Sequence, residues 1–235
     1  MLTQMQAARQ GIITETMRIV AAKENLPAET IRAGVAEGTI AICANPNHKS
    51  LSPSGVGKGL TTKVNANIGT SSSYPDPQPE LLKLAAAIEA GADAVMDLST
   101  GDNIEASRKA IIEASTVMVG TVPIYQATVE AIKKHGAVVD MTKEDLFAVI
   151  EQQAKDGADF MTIHCGINRN VLKALLAEGR VMDVVSRGGS FITGWMLHND
   201  QENPLYEYYD EILDICAKYD AVIRLGVGLS QDRLA

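Results

Sequence analysis

Glu89-Ala90-Gly91-Ala92-Asp93-Ala94-Val95 and Lys155-Asp156-Gly157-Ala158-Asp159-Phe160-Met161 are two copies of one short pattern, placed far apart in the chain. Each runs from the polar end of a helical stretch, through a glycine, into an apolar run. Glycine takes the left-handed conformation that ends a helix, and the residues after it turn back as a strand. The pair predicts a helix-to-strand turn used more than once, and so a chain of alternating strands and helices.

The rest of the sequence from Thr61 onward fits that prediction. KVNANIG (63–69), DAVMDLS (93–99), TVMVGTVPI (116–124), FMTIH (160–164), VMDVVS (181–186) and AVIRLG (221–226) read as strands. Helical patterns lie between them. Leu81, Leu84, Ala85 and Ile88 share one face of PQPELLKLAAAIEAG, with prolines near its start and Gly91 as its stop. Thr142-Lys143-Glu144-Asp145 resembles a capping box with Asp in the place of Glu, opening LFAVIEQQAKDG. About six β/α steps result, with strands apolar enough for a parallel sheet buried on both faces.

Open sheets and barrels both satisfy that pattern, and the polar residues choose between them. Asn65 and Asn67, Asp97 and Ser99, Tyr125, His164, and Ser186 with Arg187 all fall at or just past the C-terminal ends of strands. In a barrel those ends converge on one mouth. The expected fold class is therefore α/β, a (β/α)8 TIM-barrel type that is incomplete at about six steps. Residues 1–60 precede it as an N-terminal extension, with helical patterns near Glu15–Lys23 and Ala28–Ala36 and the loop-rich CANPNHKSLSPSGVGKG; residues 61–235 form the partial barrel.

Composition narrows the function classes. The chain has 235 residues, 46% of them hydrophobic, and a net charge of −8. That balance argues against a nucleic-acid or anionic-membrane partner, while leaving room for a local basic pocket. No apolar run approaches a membrane span and MLTQMQAARQG has no signal-peptide core, so a cytoplasmic location is expected. Cys43, Cys165 and Cys216 lack metal or disulfide spacing and read as reduced thiols. His48, His135 and His198 read as solvated or capping residues.

Candidate site residues each carry two readings. Asn65 and Asn67 point to one side of their strand, toward a ligand or toward each other. Asp97 serves as an anchor for a ligand or closes a turn on the following amides. His164 and Cys165 are adjacent and so face opposite ways, which leaves His164 as a hydrogen-bonding group or a buried structural one. Ser186-Arg187-Gly188-Gly189-Ser190 offers a guanidinium fork and open N–H groups to an anion, or forms a tight turn with a surface arginine. No Walker A, Rossmann or nucleophile-elbow motif is present.

TKVNANIGTS, VMDLSTG, GTVPIYQA, TIHCG, VSRGGS and ENPLYEYYDEILDIC, in this order, closely resemble the ThiC family of thiamine-pyrimidine synthases. The resemblance runs from the N-terminus to about Gly226, and the related 5-hydroxybenzimidazole synthases share it. It implies a (β/α)8 barrel that binds aminoimidazole ribotide, a phosphorylated imidazole nucleotide. It also implies S-adenosylmethionine, a [4Fe-4S] cluster and a divalent metal as cofactors of a radical carbon–carbon lyase. By position, Asn67, Met96, Tyr125, His164, Ser186, Arg187 and Gly188 match the substrate-contacting residues. The family pattern then reads Ser-Leu-Gly-Asp-Gly-Leu-Arg-Pro-Gly, where this chain has Val227 for the aspartate and Ser230 for the arginine.

The family's later strands, its acidic and histidine metal ligands and its Cys-x-x-Cys-x-x-x-x-Cys motif have no counterpart before Ala235. No metal or cluster is therefore expected on the side chains present. The sequence predicts a truncated or frame-shifted member, incompetent alone, or a ribotide-binding or split-enzyme subunit that pairs as a homodimer or with a complementing chain.

Overall fold

The computed structural model describes residues 2–179 and 182–226. Three helices come first: α1 (Gln4–Arg9), α2 (Glu15–Glu24) and α3 (Ala28–Glu37). The hydroxyls of Thr3 and Thr14 cap α1 and α2 by accepting the N–H groups of Gln6 and Met17. Met17, Val20, Ile31 and Val35 close over Ile40 and Ile42 in a small core of their own. Those two isoleucines belong to β1 (Ile40–Cys43), which pairs antiparallel with β2 (Ser54–Gly57). The sequence predicts only irregular structure here, because its turn residues mask two short strands. The hairpin forms where β1 has helices to cover its apolar side.

The remaining elements alternate as expected: β3 (Asn65–Ile68), α4 (Gln78–Glu89), β4 (Ala94–Asp97), α5 (Ile104–Ala114), β5 (Met118–Thr121), α6 (Pro123–His135), α7 (Lys143–Asp156), β6 (Phe160–Ile163), α8 (Arg169–Glu178), α9 (Arg187–Asn199), α10 (Pro204–Glu207), α11 (Tyr209–Tyr219) and β7 (Val222–Leu225). The fold is α/β, built on a five-stranded parallel sheet in the order β3-β4-β5-β6-β7. One predicted strand is corrected. Residues 182–186 form no ladder, because β6 pairs directly with β7 and leaves no edge between them. Val181 lies outside the described residues. The apolar run leads instead into the start of α9.

The repeated Gly-Ala-Asp turn does more than reverse the chain. Gly91 and Gly157 sit at φ +89° and +109°, which a side chain would strain. Two residues on, each aspartate grips the neighbouring strand. Asp93 donates its N–H to the Val64 carbonyl, and its carboxylate accepts the Val64 N–H at 2.7 Å. Asp159 does the same with Val119, at 2.9 and 2.8 Å. Since a one-residue slip would turn every side chain to the opposite face, this double grip fixes register. A third helix-to-strand turn uses Asp220 in the left-handed conformation, and Val222 there donates to the Asp159 carbonyl.

Packing follows from these registers. Leu146, Ile150, Met161, Ile163, Ile192 and Ile212 are almost wholly buried in the principal core. Burial of such a side chain stabilises by about 1.5–3 kcal/mol. The predicted capping box of α7 is present, with Thr142 and Asp145 each accepting the other's N–H. Arg108 is buried completely, held by Asp156 and Gln126. No helix among the described residues is long and apolar enough to cross a membrane.

His48 departs from its solvated or capping reading. It is buried, with Nδ1 2.7 Å from the Asp159 carboxylate and Nε2 2.9 Å from the Ser115 carbonyl. Both partners only accept when Asp159 is ionised, so both ring nitrogens carry protons. Burial alone would lower the His48 pKa, but the Asp159 carboxylate and the Ser115 carbonyl outweigh it and hold the pKa above its ordinary value. The Asn45 N–H donates to the other carboxylate oxygen at 2.9 Å. One aspartate thus joins the β1–β2 loop to β5 and β6.

A group with a raised folded pKa gives stability that is complete below its unfolded pKa, about 6.5 for histidine, and lost as pH rises through the folded value. Melting temperature should therefore fall above neutral pH in the parent chain. Asp159→Asn should flatten that slope and cost about 3–5 kcal/mol, as for a broken buried ion pair. Thermal and denaturant unfolding across pH 5–9 measure the two effects.

Candidate functional site

The mouth of the sheet is built by the chain segments that leave the strands. Asn67 and Met96 face each other as ladder partners near the ends of β3 and β4. Tyr125 lies in the first turn of α6, His164 directly follows β6, and Ser186, Arg187 and Gly188 open α9. An open cleft of about 440 Å³ brings together Asn67, Thr70, Lys83, Thr100, Tyr125 and Arg187. The Arg187 guanidinium stands 5.2 Å from the centre of the Tyr125 ring, a cation–π contact. Phe191 meets the same ring edge-on at 6.5 Å and sets its plane.

His164 sits deeper. Its ring is pressed between two glycines: a Cβ added to Gly188 would lie 2.4 Å from His164 Cε1, and one added to Gly226 3.0 Å from Cδ2. Only hydrogen fits on either side. Burial lowers the His164 pKa to about 4, so the imidazole is neutral at physiological pH. Among the described residues its buried Nδ1 has no hydrogen-bond partner.

At the start of α9 the Ser186 hydroxyl caps the helix by accepting the Gly189 N–H at 3.0 Å. The first-turn N–H groups of Arg187 and Gly188 are of the kind a helix leaves for an external acceptor, and negative charge is favoured there. Of the candidate residues only Asn67, Tyr125 and Arg187 line the cleft itself, while Met96, His164, Ser186 and Gly188 do not. Met96 is buried in β4 with its sulfur 4.0 Å from Nη1 of Arg224 on β7.

Two of the candidates have polar partners within the chain. Asn65 donates to Asn67 at 3.0 Å, so the asparagines bond each other and Asn67 keeps its amide N–H groups. Asp97 closes a turn by accepting the N–H and hydroxyl of Ser99, and is not turned to the cleft. Burial raises the Asp97 pKa against these donors. Phe191, Lys83 and Arg224 were not marked by the sequence, since an exposed cation or a helix phenylalanine carries no local signal. His135 pairs with Asp145 near the end of α6 and His198 is exposed, as expected of them.

The family model for the radical SAM ThiC family matches residues 3–232. The chain belongs to that family. It is 58% identical over its whole length to the phosphomethylpyrimidine synthase of Desulforamulus reducens, and 56% identical to that of Moorella thermoacetica. It is also 55% identical, over 96% of its length, to the 5-hydroxybenzimidazole synthase BzaB of Moorella thermoacetica. The chain spans about half the length of these relatives, 53–54% in each case. Val227 and Ser230 of the altered family motif lie outside the described residues.

A radical SAM family brings an iron–sulfur cluster and S-adenosylmethionine with it, and the cysteines of this ThiC member do not fit the cluster. Cluster ligands are thiolates that converge in space. Cys43 is on the hairpin and Cys216 on α11, both buried, and burial pushes both thiols up to about 12. Cys165 follows β6, half-buried, with its pKa also raised. Among the described residues no three His, Cys, Asp or Glu side chains gather as a metal site.

Gly188→Ala should force its methyl into the imidazole. The expected cost is about 1–3 kcal/mol, as for overpacking elsewhere. Calorimetry should show the lowered melting temperature, and the His164 ring resonances should shift while those of His198 stay in place.

Proposed function

We propose that this chain forms the ribotide-binding part of a phosphomethylpyrimidine synthase of the ThiC type. Its five-stranded sheet would be an arc of a (β/α)8 barrel. The uninterrupted strand order supports this, since a doubly wound sheet reverses order at a switch point and a barrel does not. The ligand is a phosphorylated imidazole nucleotide, aminoimidazole ribotide. The observation that carries the reading is the neutral His164, seated between Gly188 and Gly226, beside an Arg187 that no carboxylate in the described residues claims.

Roles follow from chemistry. The Arg187 guanidinium and the open N–H groups at the start of α9 hold the phosphate, with the Ser186 hydroxyl beside them. His164 and Asn67 supply directional hydrogen bonds to the base and ribose. Tyr125 offers an apolar face, stiffened by Phe191 and Arg187, and Met96 packs beneath it. The chain's own residues bind and orient. Among the described residues no ligand set for the cluster or the divalent metal gathers, so the radical step would draw on groups outside them. Polypeptide that completes the barrel beyond the outer strands of the sheet, from this chain or another, would supply them. The likeness to BzaB makes benzimidazole synthesis the second reading, decided by the product of the completed enzyme.

Titration calorimetry with aminoimidazole ribotide tests the binding. Arg187→Ala should weaken it by about 1.5–3 kcal/mol, the range for a charged hydrogen bond, and remove most of its salt dependence. Failure of the parent chain to bind ribotide at millimolar concentration would overturn the reading.

A further inference from the structure

Among the described residues His164 Nδ1 has no hydrogen-bond partner, so the placement of the ring depends on the main chain that carries it. That main chain is the short Cys165-Gly166 connection between β6 and α8, and one residue from elsewhere ties it down. Asn203 is wholly buried. Its Nδ2 donates to the carbonyls of His164 at 2.8 Å and Ile167 at 2.7 Å. Its Oδ1 accepts the Leu205 N–H at 3.0 Å, where α10 begins. Two donors and an acceptor are thus used at once, which only an amide side chain of this length supplies.

Asn203 is itself held from outside. Glu202 accepts the Asn203 N–H at 2.7 Å, and its carboxylate also accepts the Arg169 N–H at the start of α8. Residues 202–205 therefore close the loop after β6 like a clasp, with both ends of that loop fixed to one amide. Without the Nδ2 donors two buried carbonyls would lose their partners, and the loop would turn toward water to satisfy them.

We infer that Asn203 is a positioning residue for His164, fixing the end of β6 so that the unpartnered imidazole stays seated between Gly188 and Gly226 and faces the ribotide. The ligand part of this statement rests on the function proposed above. Of the charged residues on the two elements that flank the ring, Arg187 on α9 is next to Gly188 in the chain and Arg224 on β7 is two residues before Gly226. Neither of these two elements carries a carboxylate.

Proton titration of the four histidines by NMR, with imidazoles labelled, reads the ring directly. Asn203→Leu keeps the size and adds no charge but loses the amide donors. The His164 midpoint should rise from about 4 toward the ordinary 6.5 as the ring reaches water. Ribotide affinity should fall about tenfold in the same variant. Glu202→Gln, a milder change near the surface, should move the midpoint the same way by less. It carries the test should the Asn203 variant not fold. A folded variant whose His164 still titrates near 4 overturns the inference. If the ring responds but the parent chain binds no ribotide, the positioning stands and the ribotide reading falls.

Discussion

A single buried carboxylate, that of Asp159, joins three parts of this protein. It accepts N–H groups from Val119 on β5 and Asn45 in the hairpin loop, and it pairs with the His48 imidazolium. A charge taken out of water at this depth is tolerable only with several donors around it. The consequence is geometric. If β5 or β6 slipped by one residue, or the hairpin loop moved away, the carboxylate would lose a partner it cannot replace. The N-terminal helices and the sheet are thereby held to one arrangement, and the strand ends at the opposite side of the sheet inherit that precision.

Those strand ends place the site by close contact rather than by a network of polar side chains. Gly188 and Gly226 approach the His164 ring from two elements that are far apart in sequence. Burial keeps the imidazole neutral, and a neutral ring with an open nitrogen can donate or accept as a ligand requires. Arg187 remains at the edge of the cleft on the face of Tyr125, charged and accessible. In the proposed function the anion would lie at the wet rim and the base in the dry interior. The structure also explains the two glycines of Ser186-Arg187-Gly188-Gly189. Gly188 makes room for the ring, while Gly189 gives its N–H to the helix cap.

Some expectations failed for a common reason. Val181–Ser186 has the composition of a strand, yet composition cannot say whether a free ladder edge exists, and β7 already occupies the edge of β6. His48 lies among turn residues and looks solvated, yet its partner Asp159 is more than a hundred positions later. Asn203 carries no expectation at all from the sequence, since locally it only caps α10, while its amide serves the loop after β6. Each depends on a contact between residues distant in the chain.

What the sequence determined by itself was local and periodic. The glycine turns, the Thr142 capping box, the alternation of strand and helix, and the family motifs at the strand ends all depend on neighbours within a few residues, where backbone sterics and hydrogen-bond reach decide the outcome. The order of the five strands, the burial of the His48–Asp159 pair and the seating of His164 were decided only by tertiary structure. They arise from register and close packing between distant segments. No window of the sequence contains both partners.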